Sequence, residues 1–246
     1  METAQILKKT KAGPGTGDST EKEAGWSPGN RERSIEPNDG NGKEGSTESI
    51  YGDKKEDLLA VRDKLMNAIQ ELREQITEQT GSDPVEHCLA RIKSEESMRE
   101  KCRRRNLPET TESALTEIFD AVGIRVVCAF VNDVYLVRDY LENLPDCEIV
   151  QEKDYIRHAK PNGYRSLHLI LKVRLSEDRS YYAEIQIRTI SMDTWAALEH
   201  NIRYKHEIKG NLNLIESELK RCADELASTD MSMQTIRDMI REEGDK

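Results

Sequence analysis

Apolar material is scarce in this chain: 36% of its 246 residues are hydrophobic, 5% are aromatic, and phenylalanine and tryptophan occur twice each. Part of such a chain is expected to lie outside any packed core. No run of 18 apolar residues occurs, so no transmembrane helix is expected. The opening stretch, Met1 to Lys11, lacks the apolar h-region of a secretory signal, and a cytoplasmic location is the expectation. The five cysteines, Cys88, Cys102, Cys128, Cys147 and Cys222, are scattered without a C-x-x-C pair. An odd, dispersed set argues against a disulfide framework and against a cysteine zinc site.

Charge, by contrast, is plentiful. The 37 Lys+Arg and 47 Asp+Glu give a net charge of −10. Residues 1–50 contribute only −2 of it, so the rest of the chain is itself acidic. Sequence-independent nucleic-acid binding usually needs a broad basic surface. A polyanion site here must be a local basic patch, which favours a small phosphate-bearing ligand over a long duplex.

Residues 1–50 hold 8 of the 14 glycines and 3 of the 7 prolines, mixed with Ser, Thr, Glu and Asn. That composition predicts a disordered tail over residues 1–52, followed by one domain over 53–243. Two phosphate-loop lookalikes in the tail, Gly13 to Gly17 and Pro37 to Glu44, lack parts of the P-loop pattern and a preceding strand. From Asp53 the pattern changes. Leu58, Val61, Leu65, Ile69, Leu72 and Ile76 recur at helical spacing and predict one long amphipathic helix. Ser82-Asp83-Pro84 reads as an N-cap and first-turn proline for a second helix over about 84–105. The β-branched run from Gly123 to Val131 predicts a buried strand, and 132–143 a helix ended by Pro145. A short strand is expected over 147–155. Strict alternation then marks strands from Ser166 to Leu175 and from Tyr181 to Ile190, followed by helices over about 191–206 and 212–242. This order predicts an α+β fold with a mixed or antiparallel sheet flanked by helices, with long helices at both ends.

The strand over 181–190 carries the clearest anomaly. Glu184, Gln186 and Arg188 form a polar stripe opposite Ile185 and Ile187. A solvated sheet face accounts for an isolated stripe equally well. The neighbouring strand, however, also presents Ser166 and His168. Arg125 interrupts an apolar strand, and Asp120 lies just before it. Two carboxylates from neighbouring strands could hold a divalent cation on phosphates, since Mg²⁺ takes one or two carboxylates plus water and phosphate oxygens. On the second expected helix, Lys93, Ser97, Lys101 and Arg104 share one face, with Arg91 near its start, a set suited to triphosphate oxygens. A solvated helix with Glu95, Glu96 and Glu100 as counter-charges is the plainer explanation of such a run. The segment Lys101 to Arg105 could also touch RNA, although no row of aromatics accompanies it. Between strands, Lys160-Pro-Asn-Gly-Tyr-Arg-Ser166 contains an Asn-Gly turn that would place an exposed Tyr164 for stacking on a purine and Arg165 for a phosphate. An ordinary hairpin with Tyr164 capping the core fits as well. Trp195 reads as core, and His200 as either core or site.

Five motifs occur in order: Arg91-Ile-Lys-Ser-x-Glu-Ser97, Asp120-x-x-Gly-Ile-Arg125, Asn162-Gly-Tyr-Arg-Ser-x-His168, Glu184-Ile-Gln-Ile-Arg-Thr189 and Trp195-x-x-x-Glu-His200. Together they resemble the synthetase domain of RelA/SpoT-type proteins, and the stand-alone small alarmone synthetases in particular, over about residues 55–240. The resemblance implies a nucleotidyltransferase-like synthetase fold and transfer of the β,γ-diphosphate of ATP to the 3′-hydroxyl of GDP or GTP. It further implies Mg²⁺ held by Asp120 and Glu184, with Glu184 also the base for the acceptor hydroxyl. Arg91, Lys93, Ser97, Lys101, Arg104 and Arg125 would grip ATP. Lys160, Asn162, Tyr164, Arg165, His168 and Gln186 would hold the acceptor nucleotide, Tyr164 by stacking on guanine. Small members of the family form homotetramers through terminal helices. The apolar positions Leu214, Ile215, Leu219, Leu226, Met233, Ile236 and Ile240 fit that, or a helix packed on its own domain. The His-Asp signature of the family's hydrolase domain is absent, so product degradation is not expected of this chain. A nucleotidyltransferase of the Asp-x-Asp type is disfavoured because no such pair occurs. A catalytically silent nucleotide sensor or RNA-binding module, and an oligomeric scaffold, are the remaining alternatives. Single-stranded RNA is a possible regulatory partner.

Overall fold

The computed structural model describes residues 49–205 and 211–244, and the segment expected to be a disordered tail lies outside them up to residue 48. The last residues of that segment belong to the core: Ile50 and Tyr51 are buried, and a 3₁₀ turn at Gly52–Lys54 leads into the first helix. Helix α1, Lys55–Thr80, carries the expected apolar stripe, burying Leu58, Val61, Leu65, Ile69 and Leu72. Gly81 ends it in the left-handed region, its N–H bonded to the Thr77 carbonyl at 2.8 Å.

The second expected helix is corrected by the structure. Residues Val85–Ile92 form strand β1, and only Glu95–Arg104 is helical, as α2. Asp83 does not cap a helix; its carboxylate accepts the Val85 N–H at 2.9 Å and is gripped by Arg73. The N-cap is Ser94, whose Oγ accepts the Ser97 N–H. The physical reason lies in pairing: Cys88, Ala90 and Ile92 sit opposite Val126, Ile124 and Val122 of strand β2, Val122–Cys128. Tertiary pairing of alternate apolar positions prevails over the local charge pattern that suggested a helix.

Helix α3, Val131–Glu142, and strands β3, Cys147–Asp154, β4, Leu167–Ser176, and β5, Arg179–Thr189, follow within one or two residues of expectation. Helices α4, Ile190–Lys205, and α5, Leu212–Gly244, complete the described chain. The sheet order is β1-β2-β5-β4-β3, with β2 and β5 parallel and the other neighbours antiparallel. This is the mixed sheet flanked by helices that the sequence predicted. One face is apolar. Ile124, Ile185 and Leu169 form one row across it, and Val126, Ile187 and Leu167 another. Helices α1 and α3 close over that face to form the main core.

Period-two alternation makes the other face polar. One row reads Arg91, Gly123, Glu184, Ile170, and the next Leu89, Arg125, Gln186, His168. The strand register therefore brings together side chains from four separate segments.

Candidate active site

Asp120 precedes β2 at the point where the chain enters the sheet. Its Oδ2 accepts hydrogen bonds from Lys93 Nζ and Lys101 Nζ, both at 2.8 Å. Lys93 lies in the link between β1 and α2 and Lys101 on α2, so the two cations converge from either side of a chain corner. The helix face shared by Lys93 and Arg104 that the sequence suggested does not exist. Lys93 is itself pinned, its N–H to the Ala121 carbonyl at 2.9 Å and its carbonyl by the buried Tyr51 hydroxyl at 2.7 Å. Burial pushes the Asp120 carboxyl up, but Lys101 and Lys93 outweigh it and hold the group below its ordinary value. Asp120 Oδ1 is buried and accepts no hydrogen bond among the described residues. An ionised carboxylate with one oxygen unsatisfied suits an incoming cation.

Glu184 stands on β5, with His168 Nδ1 3.6 Å from its carboxylate. Burial and the nearby Asp120 charge raise its carboxyl, yet the hydrogen bond and charge of His168 prevail and lower it. Both carboxylates are thus ionised at neutral pH and close enough to feel each other. No group of three or more His, Cys, Asp or Glu side chains with metal-binding geometry occurs among the described residues.

Around them lies a basic shell. Arg91 is half-buried at the end of β1, within the field of both Asp120 and Glu184. Arg125 is 8% exposed, and burial together with the neighbouring Arg188 lowers its pKa to about 10. Ser97 and Arg104 are exposed on α2, with Arg104 at its last turn.

The acceptor-side candidates are arranged differently from expectation. Asn162 Oδ1 accepts the Tyr164 N–H at 3.1 Å, and Gly163 takes φ +93°, so the expected turn forms. Tyr164, however, is not exposed. Its ring packs against Trp195 and Ala223 under α5, and its hydroxyl bonds to His168 Nε2 at 2.8 Å and Arg188 at 2.6 Å. The reason is close packing: a Cβ on Gly163 would stand 2.7 Å from the Ala223 Cβ, so helix and turn are in van der Waals contact. Lys160 Nζ lies over the rings of Tyr155 and Tyr164, 4.5 and 4.9 Å from their centroids. Arg165 turns to α5, bonding Asp224 at 2.8 Å, and does not join the carboxylate cluster. Gln186 accepts from Arg188 at 2.9 Å. Trp195 is core, as read from the sequence, its Nε1 donating to the Leu219 carbonyl at 2.8 Å.

Three contributors escaped sequence reasoning. Tyr51 fell in the expected tail. Arg188 was visible in the polar stripe but had no role assigned. Asp193, five residues later on α4, ion-pairs with both Arg125 and Arg188 at 3.2 Å. Two arginines on adjacent buried strands require an anion, which was the available signal for Asp193.

An ionised carboxylate pair flanked by lysines and arginines suits phosphate groups carried with a cation. Comparison with known proteins agrees. The family model described as "Region found in RelA / SpoT proteins" matches residues 90–209. GTP pyrophosphokinase YwaC of Bacillus subtilis is 48% identical over 128 residues, 51% of this chain and 61% of that protein. GTP pyrophosphokinase YjbM of the same organism is 34% identical over 163 residues, 65% of this chain and 75% of that protein. The crystal structure of small alarmone synthetase 1 from Bacillus subtilis, bound to its product pppGpp, superposes with a TM-score of 0.66 at 28% identity, covering 75% of this chain and 94% of that one. The chain belongs to the RelA/SpoT family, among its small alarmone synthetases.

Proposed function

We propose that this chain is a GTP pyrophosphokinase that transfers the β,γ-diphosphate of ATP to the ribose 3′-hydroxyl of GDP or GTP, releasing AMP. The observation that carries the reading is Asp120, ionised beneath Lys93 and Lys101 with one carboxylate oxygen unsatisfied, beside Glu184 on the next strand. The relatives named GTP pyrophosphokinase, and the relative crystallised with pppGpp, support the substrate class.

Asp120 and Glu184 are the residues to hold Mg²⁺, which when bound neutralises phosphate charge and polarises oxygen. Arg91, Lys93, Lys101 and Arg125 draw in and orient the triphosphate of ATP, with Ser97 and Arg104 on the outer edge. Lys160, Asn162, Tyr164, Arg165, His168 and Gln186 receive the guanine nucleotide, which requires Tyr164 to leave its buried position if it is to stack on the base. The acceptor 3′-oxygen bonds to the β-phosphorus as the bond from that phosphorus to the α,β-bridging oxygen breaks. AMP leaves with the electron pair, and the hydroxyl proton passes to Glu184. Because the Glu184 carboxyl is held low, its proton transfer comes late, and catalysis rests chiefly on in-line placement and charge neutralisation.

The same reading includes a homotetramer. Leu219 and Leu226 pack on the Tyr164 cluster, while Leu214, Met233, Ile236 and Ile240 stay about half exposed or more, leaving an apolar strip for a second copy. It also includes a cytoplasmic setting and regulation by single-stranded RNA at the basic run Lys101 to Arg105, whose three arginines are exposed.

Incubation of purified protein with Mg²⁺, ATP and either GDP or GTP tests the activity. Equimolar AMP and a more highly charged guanosine nucleotide are expected on anion exchange. Nucleotide binding without AMP would replace the synthetase with a sensor.

A further inference from the structure

An unbroken chain of contacts runs across the polar sheet face. Arg125 on β2 and Arg188 on β5 both ion-pair with Asp193 Oδ1 at 3.2 Å, and Arg188 also donates a hydrogen bond to it. Arg188 also donates to the Tyr164 hydroxyl at 2.6 Å, and that hydroxyl bonds His168 Nε2 at 2.8 Å. His168 turns its other ring nitrogen to Glu184, 3.6 Å away. Arg188 can only donate, so the Tyr164 oxygen accepts from it while its hydroxyl pairs with His168. Arg125 belongs to the expected donor-nucleotide set, and Tyr164 to the acceptor set.

We propose that Asp193 is a positioning residue that couples the two nucleotide sites, by dividing its carboxylate between Arg125 and Arg188. The inference rests on the proposed function for its assignment of the two arms. Its bistable element is Tyr164. Buried, Tyr164 is held by Arg188 and His168; stacked on a base, it must give up both bonds. Phosphates that recruit Arg125 withdraw it from Asp193. The carboxylate then belongs to Arg188 alone and draws that guanidinium away from the tyrosine hydroxyl. Tyr164 is released, and guanine binding is favoured. The sign is therefore positive: donor nucleotide tightens acceptor binding, and reciprocally. Asp193 retains 18% side-chain exposure and touches neither carboxylate of the candidate cation site, so its replacement leaves that pair in place.

Calorimetry on the full chain in Mg²⁺ tests this, titrating GDP with and without non-hydrolysable α,β-methylene-ATP. For the wild type, the analogue is expected to tighten GDP binding by about fivefold or more, the lower range of typical coupling. In Asp193→Asn the factor should fall to within about twofold of one, and Asp193→Glu, which keeps the charge, should recover most of it. A merely structural role would weaken both nucleotides without altering their ratio. An undiminished factor in Asp193→Asn overturns the proposal, as does a wild-type factor of one. Should the asparagine variant melt below the assay temperature, Asp193→Ser is read by the same criterion. Wild-type AMP formation decides the proposed function separately, so the failure of one is not mistaken for the failure of the other.

Discussion

Replacing each carboxylate by its amide separates catalysis from stability, because the two sit in unequal surroundings. Glu184 lies 3.6 Å from His168 and keeps 25% side-chain exposure. Glu184→Gln preserves shape and removes a charge that its neighbour can do without, so the expected stability change is within about 1 kcal/mol. Loss of the base and of a cation ligand should lower turnover by about 10²–10⁴, or roughly 3–5 kcal/mol on the barrier. Asp120→Asn is different. It strips the shared anion from Lys93, 4% exposed, and Lys101, 20% exposed. Breaking a buried pair costs about 3–5 kcal/mol, and the lower end applies because Lys101 can turn to solvent. For a domain of this size that corresponds to a midpoint lower by about 6–12 °C. AMP release from ATP plus GDP, paired with thermal melts of both variants, measures the contrast. Activity of Glu184→Gln within about tenfold of wild type, or equal melting losses in the two variants, would refute the reasoning.

Further outcomes follow from the surroundings of the site. Tyr51→Phe removes only the hydroxyl that holds the Lys93 carbonyl, and should cost about 1 kcal/mol with a raised KM for ATP and an unchanged KM for the acceptor; equal changes in both would show that Tyr51 acts through global stability alone. Gly163→Ala combines a φ of +93° with a 2.7 Å clash against Ala223, so it should destabilise by about 1–3 kcal/mol and loosen α5, read as faster hydrogen exchange of the Trp195 indole N–H. Since His168 lowers the Glu184 carboxyl against burial and Asp120, the ionised base and the stability it brings persist above the ordinary carboxylate range and fade only as pH falls through the lowered value. His168→Gln leaves burial and Asp120 acting on Glu184, so the acid limb of kcat/KM should move to higher pH; a limb that stays or moves lower contradicts the assignment.

The strands from β2 to β5, the polar stripe on β5 and the proximity of Asp120 to Glu184 were legible because alternation and motif order are local properties. The β1 segment was not. Its charges at Glu86 and Arg91, and Lys93 just beyond it, mask a two-residue period that matters only once β2 lies alongside. The burial of Tyr164 was one of two readings of its turn, and what decides it is packing against Ala223 and Leu219, more than fifty residues downstream. Asp193 has no motif of its own; only the adjacency of Arg125 and Arg188 across β2 and β5, where Val126 pairs with Ile187, makes it necessary.

The parallel pairing of β2 with β5 has a consequence for how the protein reaches its native state. β5 is inserted between β2 and β4, so Gly123 meets Glu184 only after the intervening helix and two strands have been laid down. The hairpins can form from neighbouring sequence, but the β2–β5 contact closes a long loop and is intrinsically slow. Asp120 and Glu184 become neighbours at that closing step. Recovery of the nucleotide site should therefore trail the return of helical signal during refolding, and a nascent chain has no complete cation site until β5 has emerged and docked.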